Sequence, residues 1–306
     1  MHRIVSLLPS MTEIAAALGL EAQLVGRSHE CDHPPGVARL PALTEPKLDA
    51  NAPSRAIDDR VKQLVSEGLS VYRVDAERLR GLAPTAILTQ DHCEVCAASL
   101  SDVEQALGDW LGEKPRVVSQ DPRTLGDVWA GILDVGEALG CGDRARALTA
   151  RLSWELTELA EQARSQAERP RVACVEWIDP LMAAGNWMPE LVTLAGGVNR
   201  FGAIGAHSPW LSWPELRDAD PDVIVVLPCG FDLPRTRKEL GPLLAQPGFD
   251  ALRAVREGRV YLADGHRFFN RPGPRLVESL RLLCEMLHPG AFAPDGRGDG
   301  WDVLSR

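Results

Sequence analysis

The sequence predicts an α/β protein of two Rossmann-like lobes, each with a mostly parallel sheet, joined by a long rigid helix. Three observations carry that expectation. Short apolar strands alternate with helical stretches in both halves of the chain. A stretch almost without strand signal but with sustained helical periodicity separates them. The 306 residues, 45% of them hydrophobic, are enough for two cores. The expected division is an N-terminal α/β lobe over 1–121, a helical linker over 122–169 and a C-terminal α/β lobe over 170–306.

In the first lobe, Arg3 to Leu8 reads as a strand, followed by a helix opened by Ser10-Met11-Thr12-Glu13 as a capping box. Leu24 to Ser28, Ser70 to Val74, Ala86 to Gln90 and Arg116 to Ser119 read as further strands. Helices are expected over Ile57 to Val65 and after a cap at Ser101-Asp102-Val103-Glu104. Between Thr124 and Glu168 two helices are expected, broken at Gly140-Cys141-Gly142, with Asp143 as the next cap. Leu148, Leu152, Leu156 and Leu159 fall at helical spacing, which implies one apolar stripe along a helix of roughly 25 residues and about 37 Å. Pro170 ends it. Arg171 to Glu176, Asp222 to Leu227 and Arg259 to Ala263 are the strands of the second lobe, and Arg275 to Leu287 is the last helix. The Gly- and Asp-rich tail after Pro289 reads as loose.

A net charge of −10 argues against nucleic acid or a polybasic membrane patch, both of which need clustered Lys and Arg. No apolar run approaches the roughly 20 residues that span a bilayer, so the protein is not membrane-integral. The apolar run at the N-terminus stops at Pro9, too short for an export signal, and seven irregularly spaced cysteines suit a reducing compartment. The expected location is therefore cytoplasmic, with periplasmic as the alternative.

Ligands of parallel α/β sheets sit beyond the carboxyl ends of the strands, which selects the loops to inspect. In the first lobe these are Pro9 to Thr12, His29 to Pro34 and Gln90 to Cys96. In the second they are Trp177 to Pro180, Gly185 to Trp187, His207 to Trp213, Pro228 to Asp232 and His266 to Gly273. Four of the eight tryptophans lie between 177 and 213, beside Pro and Gly rather than at core spacing, which suits rigid walls for a large planar apolar ligand. The competing reading makes them plugs of the second core.

His29, Cys31, His33, His92, Cys93 and Cys96 come from two neighbouring strand ends and form a candidate metal set for zinc or iron, with Cys93-x-x-Cys96 at a spacing that suits one ion. The same cysteines also read as a redox pair or as packing residues. The chain lacks a Gly-x-Ser-x-Gly elbow, a Walker loop and a Gly-x-Gly-x-x-Gly after a strand. No catalytic set is assigned; an intracellular metal- or thiol-dependent enzyme using the Cys31, Cys93 and Cys96 loops stands as the alternative function.

The sequence resembles the substrate-binding proteins of cobalamin and iron-complex ABC importers (class III). The resemblance rests on Arg3-Ile4-Val5-Ser6-Leu7-Leu8-Pro9-Ser10 with Thr12-Glu13 and Leu18-Gly19, on Leu24-Val25-Gly26 before the His29 loop, on Leu82-Ala83-Pro84 before Ile87-Leu88-Thr89, and on Ala195-Gly196-Gly197. The segments Thr89 to Cys96, Pro228 to Asp232 and Phe269 to Pro274 look most like a cobalamin-binding branch. The resemblance implies a vitamin-B12-binding-protein-like fold holding a corrinoid or similar tetrapyrrole or iron complex in the interlobe cleft. Pro9, Ser10, Trp177, Trp187, Trp210, Phe231 and Asn270 would be its walls and anchors, and His29, His92, His207 or His266 an axial nitrogen to cobalt or iron. It also implies an ABC permease as partner, met through one acidic residue on each lobe, for which Glu45 and Glu190 are the candidates.

Overall fold

β-branched and leucine-rich runs form the buried strands, and the residues that follow them turn the chain into helices. The computed structural model describes residues 2–67, 69–91, 100–108 and 114–305, without the side chains of Leu100 and Ser101. The elements of the first half are β1 (Ile4–Ser6), α1 (Pro9–Ala17), β2 (Leu24–Arg27), β3 (Thr44–Pro46), α2 (Ser54–Ser66), β4 (Tyr72–Val74), α3 (Ala76–Gly81), β5 (Ala86–Gln90), α4 (Leu100–Ala106), β6 (Arg116–Gln120) and α5 (Leu125–Ala138). After the 23-residue α6 (Gly142–Arg164) follow β7 (Arg171–Trp177), β8 (Met182–Ala183), α7 (Met188–Leu194), β9 (Val198–Asn199), α8 (Trp213–Ala219) and β10 (Val223–Val226). The chain closes with α9 (Leu233–Glu239), α10 (Gly241–Leu244), α11 (Arg253–Arg256), β11 (Val260–Ala263), α12 (Leu276–Leu287) and β12 (Trp301–Val303).

Contacts divide the chain into two units: Met1–Ala52, Ala56–Pro122 and Gly126–Arg151 form one, and Pro53–Arg55, Arg123–Leu125 and Leu152–Arg306 the other. The division falls inside α6. Along that helix Leu148, Leu152 and Leu159 are buried as the apolar stripe requires.

The first unit holds a parallel sheet of order β2-β1-β5-β6, with β1 paired to both β2 and β5. Its core gathers Val5, Leu7, Leu43, Leu64, Leu79, Ile87 and Val103, each worth roughly 1.5–3 kcal/mol of transfer free energy on full burial. β4 leaves this sheet and pairs antiparallel with β3. The second unit holds the order β12-β11-β10-β7-β8, with β9 on β7; β7, β10 and β11 are parallel, and β8 and β12 are antiparallel edges. Arg171 pins the starts of β7 and β10 by donating its N–H, Nε and Nη2 to the Asp222 carboxylate, which holds that carboxyl down at about 2.

Four local expectations are corrected. Ser10 and Glu13 do not form a capping box: Pro9 takes the first helical position, where its missing N–H costs nothing, and the extended Leu8 is the N-cap without a side-chain bond. Ser10 therefore lies inside α1. Ser101 likewise lies inside α4, and Asp143 in the first turn of α6, where its charge suits the helix dipole. The tail is not loose. Trp301 is buried, its Nε1 donates to Glu285 (2.7 Å), and β12 completes the sheet beside β11.

Candidate functional site

At the carboxyl ends of β7, β10 and β11 the exit loops are sewn together by backbone groups. Cys229 N–H donates to Glu176 O (3.1 Å) and His266 N–H to Phe231 O (3.0 Å). The Asn270 amide donates to both Leu227 O (3.1 Å) and Gly265 O (2.9 Å), so this side chain anchors the loops to each other. Phe269, buried and left-handed at φ 55°, is fixed from both sides: its N–H donates to Ser279 Oγ, and its carbonyl accepts from Trp187 Nε1 at 2.7 Å.

On this frame an aromatic row forms. Trp177 pairs across the ladder with Met182, and Met182 bridges to Trp210; directly opposed residues share one face of a sheet. The Phe231 ring lies 5.2 Å from that of Trp177, and the Arg235 guanidinium covers Phe231 at 4.5 Å. Trp210 is 58% exposed, far above the usual burial of tryptophan. Trp177 Nε1 has no hydrogen-bond partner among the described residues. Trp187 and Phe231 both depart from their expected role as walls: each is 5% exposed, Trp187 with its N–H spent on Phe269 O and Phe231 beneath the Arg235 guanidinium, so both pack inside the unit.

Beside the row, Ser208 Oγ donates to Glu176 Oε1 (2.9 Å) and accepts from Gly185 N–H (3.1 Å). Burial pushes the Glu176 carboxyl up to about 7, against the opposing pull of Ser208, His207 and Gly185. The exposed His207 places Nδ1 3.0 Å from Ser208 O. On the β11 exit, buried Arg271 donates to His266 Nε2 (3.0 Å), and buried Asp264 accepts the N–H groups of His266 and Arg267. Glu176 and Arg235 were not singled out from sequence; Glu176 had a readable signal, an acid ending the apolar run Val172-Ala173-Cys174-Val175.

In the first unit, Pro9 starts α1 half-buried, and Ser10, 3% exposed, offers no surface to a ligand. His29 gives its Nδ1 to a 2.7 Å bond with Thr44 Oγ1 and packs tilted against the Tyr72 ring, while burial holds its pKa below the usual value. Cys31 is buried and accepts from Thr12 Oγ1 (3.0 Å); His33 is exposed. These three do not converge, and among the described residues no group of three His, Cys, Asp or Glu side chains is placed to hold an ion. His92, Cys93 and Cys96 lie outside the described residues. Glu45 is exposed and paired with Arg73, whereas half-buried Glu190 accepts Leu125 N–H within the second unit. No described helix is long and apolar enough to cross a membrane.

Two α/β units, each with its parallel strands opening onto loops at their carboxyl ends, form the frame shared by substrate-binding proteins. The family model described as periplasmic binding protein matches residues 4–266, and the chain belongs to that family. It is 25% identical over 300 residues to the uncharacterized ABC transporter substrate-binding lipoprotein YvrC of Bacillus subtilis, covering 95% of this chain and 81% of that protein. It is also similar to the apo periplasmic heme-binding protein RhuT from Roseiflexus sp. RS-1, at 25% identity and TM-score 0.70, over 95% of this chain and 99% of that one. A periplasmic heme-binding protein from Pseudomonas aeruginosa (22% identity, TM-score 0.74, 100% and 98% coverage) shares the fold. So does the vitamin B12-binding protein BtuF of Vibrio cholerae (22%, 0.65, 94% and 96%).

These relatives overturn the expectation of a cytoplasmic protein: the family is one of periplasmic binding proteins, and the relatives named are a lipoprotein and periplasmic proteins. The cysteine argument failed for a physical reason. Among the described residues Cys31, Cys141, Cys174 and Cys284 form no disulfide but are buried, and burial raises the Cys174 and Cys284 thiols to about 12, so they are packing groups that need no reducing compartment.

Proposed function

We propose that this protein is the ligand-capturing component of an ABC importer, and that it holds a metal tetrapyrrole, a corrinoid such as cobalamin or a haem, against the strand ends of its second unit. The observation that supports this reading is the row Trp177, Met182 and Trp210, backed by the buried Phe231 and ending in a largely exposed indole. A flat macrocycle gains most from such a face, because rigid aromatic walls lose little conformational entropy on binding. The relatives that bind haem or vitamin B12 support the same ligand class. A permease partner follows from the likeness to an importer lipoprotein.

Titration of aquocobalamin and of ferric haem, each followed by absorbance and by calorimetry, tests the reading. Saturable binding of at least one is expected, weakened about tenfold, or about 1.4 kcal/mol, by Trp210→Ala. Failure of both ligands to saturate in both measurements would overturn it.

A further inference from the structure

We propose that Glu176 is a positioning residue for ligand capture: through Ser208 it pins the segment that presents Trp210 to the strand that carries Trp177. The inference rests on the tetrapyrrole reading above and gives a task to an acid that the aromatic row itself does not use.

The pairing of β7 with β8 slips at this residue. Val175 is opposite Ala183 and Trp177 opposite Met182, so β7 takes two steps where β8 takes one, and Glu176 is the extra residue of a bulge. A bulge takes its residue out of the regular ladder and re-aims the side chain. Here the Glu176 carbonyl accepts Cys229 N–H from the β10 exit (3.1 Å), and the carboxyl accepts from Ser208 Oγ at 2.9 Å. A serine hydroxyl has one proton to give. Buried Ser208 gives it to Glu176 while its oxygen accepts Gly185 N–H (3.1 Å), which completes a chain from Gly185 through Ser208 to Glu176.

Trp177 and Trp210 lie on either side of Met182, in a strand only two residues long. The Trp210 segment is tied to the β8 segment by Asn186 N–H to Ala206 O (2.7 Å), Ala183 N–H to Pro209 O (2.9 Å) and Leu211 N–H to Leu181 O (2.9 Å). Those bonds hold the two segments to each other, not to the rest of the sheet. They meet β7 through the short β8 pairing, through Ala184 N–H on Cys174 O (3.0 Å), and through the Glu176 to Ser208 bond, which reaches past β8. Glycine permits the close approach this requires, since a Cβ at Gly185 would lie 2.5 Å from Ser208 N. A rigid flat ligand laid across both indoles depends on their spacing, and a contact pair of that kind needs a supporting bond that locks it. Burial favours the uncharged carboxyl, so glutamine, which offers the same acceptor, reproduces the support.

The test measures calorimetric affinity for aquocobalamin and for ferric haem in wild type, Glu176→Gln, Glu176→Met, Ser208→Ala and the double variant of the last two, all below their melting ranges. Glu176→Met and Ser208→Ala are each expected to weaken binding about tenfold, whereas Glu176→Gln stays within about twofold of wild type. The double variant should bind no more weakly than the weaker single variant, because both substitutions remove one link. Three results overturn the positioning role and leave the ligand class standing: wild-type affinity in Glu176→Met, a loss in Glu176→Gln equal to that in Glu176→Met, or losses that multiply to about a hundredfold in the double variant. Should Glu176→Met not fold, Ser208→Ala decides, and wild-type affinity there overturns the role. Wild type that binds neither compound overturns both the role and the ligand class.

Discussion

Replacing Gly265 by alanine is expected to lower stability by roughly 3 kcal/mol and to abolish high-affinity ligand binding. A Cβ built there lies 2.1 Å from Pro228 O and 2.6 Å from Leu227 O. Both neighbours are backbone, and both belong to the β10 exit, so no side chain can swing away to relieve the clash. The loop itself has nowhere to go, because the Asn270 amide ties Gly265 O to Leu227 O and His266 N–H is fixed to Phe231 O. The substitution must separate the β10 and β11 exits and carry Phe231 away from Trp177, which breaks the aromatic row. Thermal unfolding and the calorimetric titration read the two effects; a variant that melts and binds as wild type would show that the exits are not the tight junction described.

The second large effect is a pH dependence. Burial holds the Glu176 carboxyl protonated up to about 7, whereas the unfolded chain releases that proton near its ordinary value of 4.5. Between those values the native state binds more protons than the unfolded one, so stability is greatest below the window and falls as pH rises through it, by up to about 3 kcal/mol in full. Glu176→Gln keeps the shape, accepts from Ser208 and removes the titration. Its melting temperature should exceed that of wild type at pH 7.5 and approach it at pH 4.5. Buried Asp264, also raised, contributes a slope of the same sign, so the quantity to read is the difference between the two proteins. Equal slopes for wild type and variant would contradict the assignment.

The strands that carry the fold were legible because they are buried in parallel sheets and read as short apolar runs. Ala86–Gln90 coincides with its expected range, and Val223–Val226 lies inside the expected Asp222 to Leu227. Elements held by distant partners were not legible. β12 sits in a Gly- and Asp-rich tail and exists through pairing with β11 and the Trp301 to Glu285 bond, neither of which leaves a local pattern. β8 is two residues long, yet it places Met182 between Trp177 and Trp210.

The Ser-x-x-Glu pattern illustrates how one neighbour decides. At Ser212 it forms a true capping box with Glu215, because the following Trp213 and Pro214 are the first helical residues. At Ser10 the proline stands one residue earlier, so the helix begins before the serine. Within the tryptophan cluster, the burial of Trp187 had no local signal, because its acceptor is the left-handed Phe269 carbonyl, 82 residues further on. Of the thiol and imidazole set, the described His29 and Cys31 stand two residues apart but are turned to Thr44 and Thr12, which no local pattern signals.

Hydrogen–deuterium exchange with and without saturating ligand, aquocobalamin or ferric haem, locates the binding face most directly. Slowed exchange should be concentrated in residues 177–187, 203–210 and 227–232 of the second unit. Saturable binding with no slowing in those three segments would place the ligand elsewhere and contradict the assignment of the aromatic row as its seat.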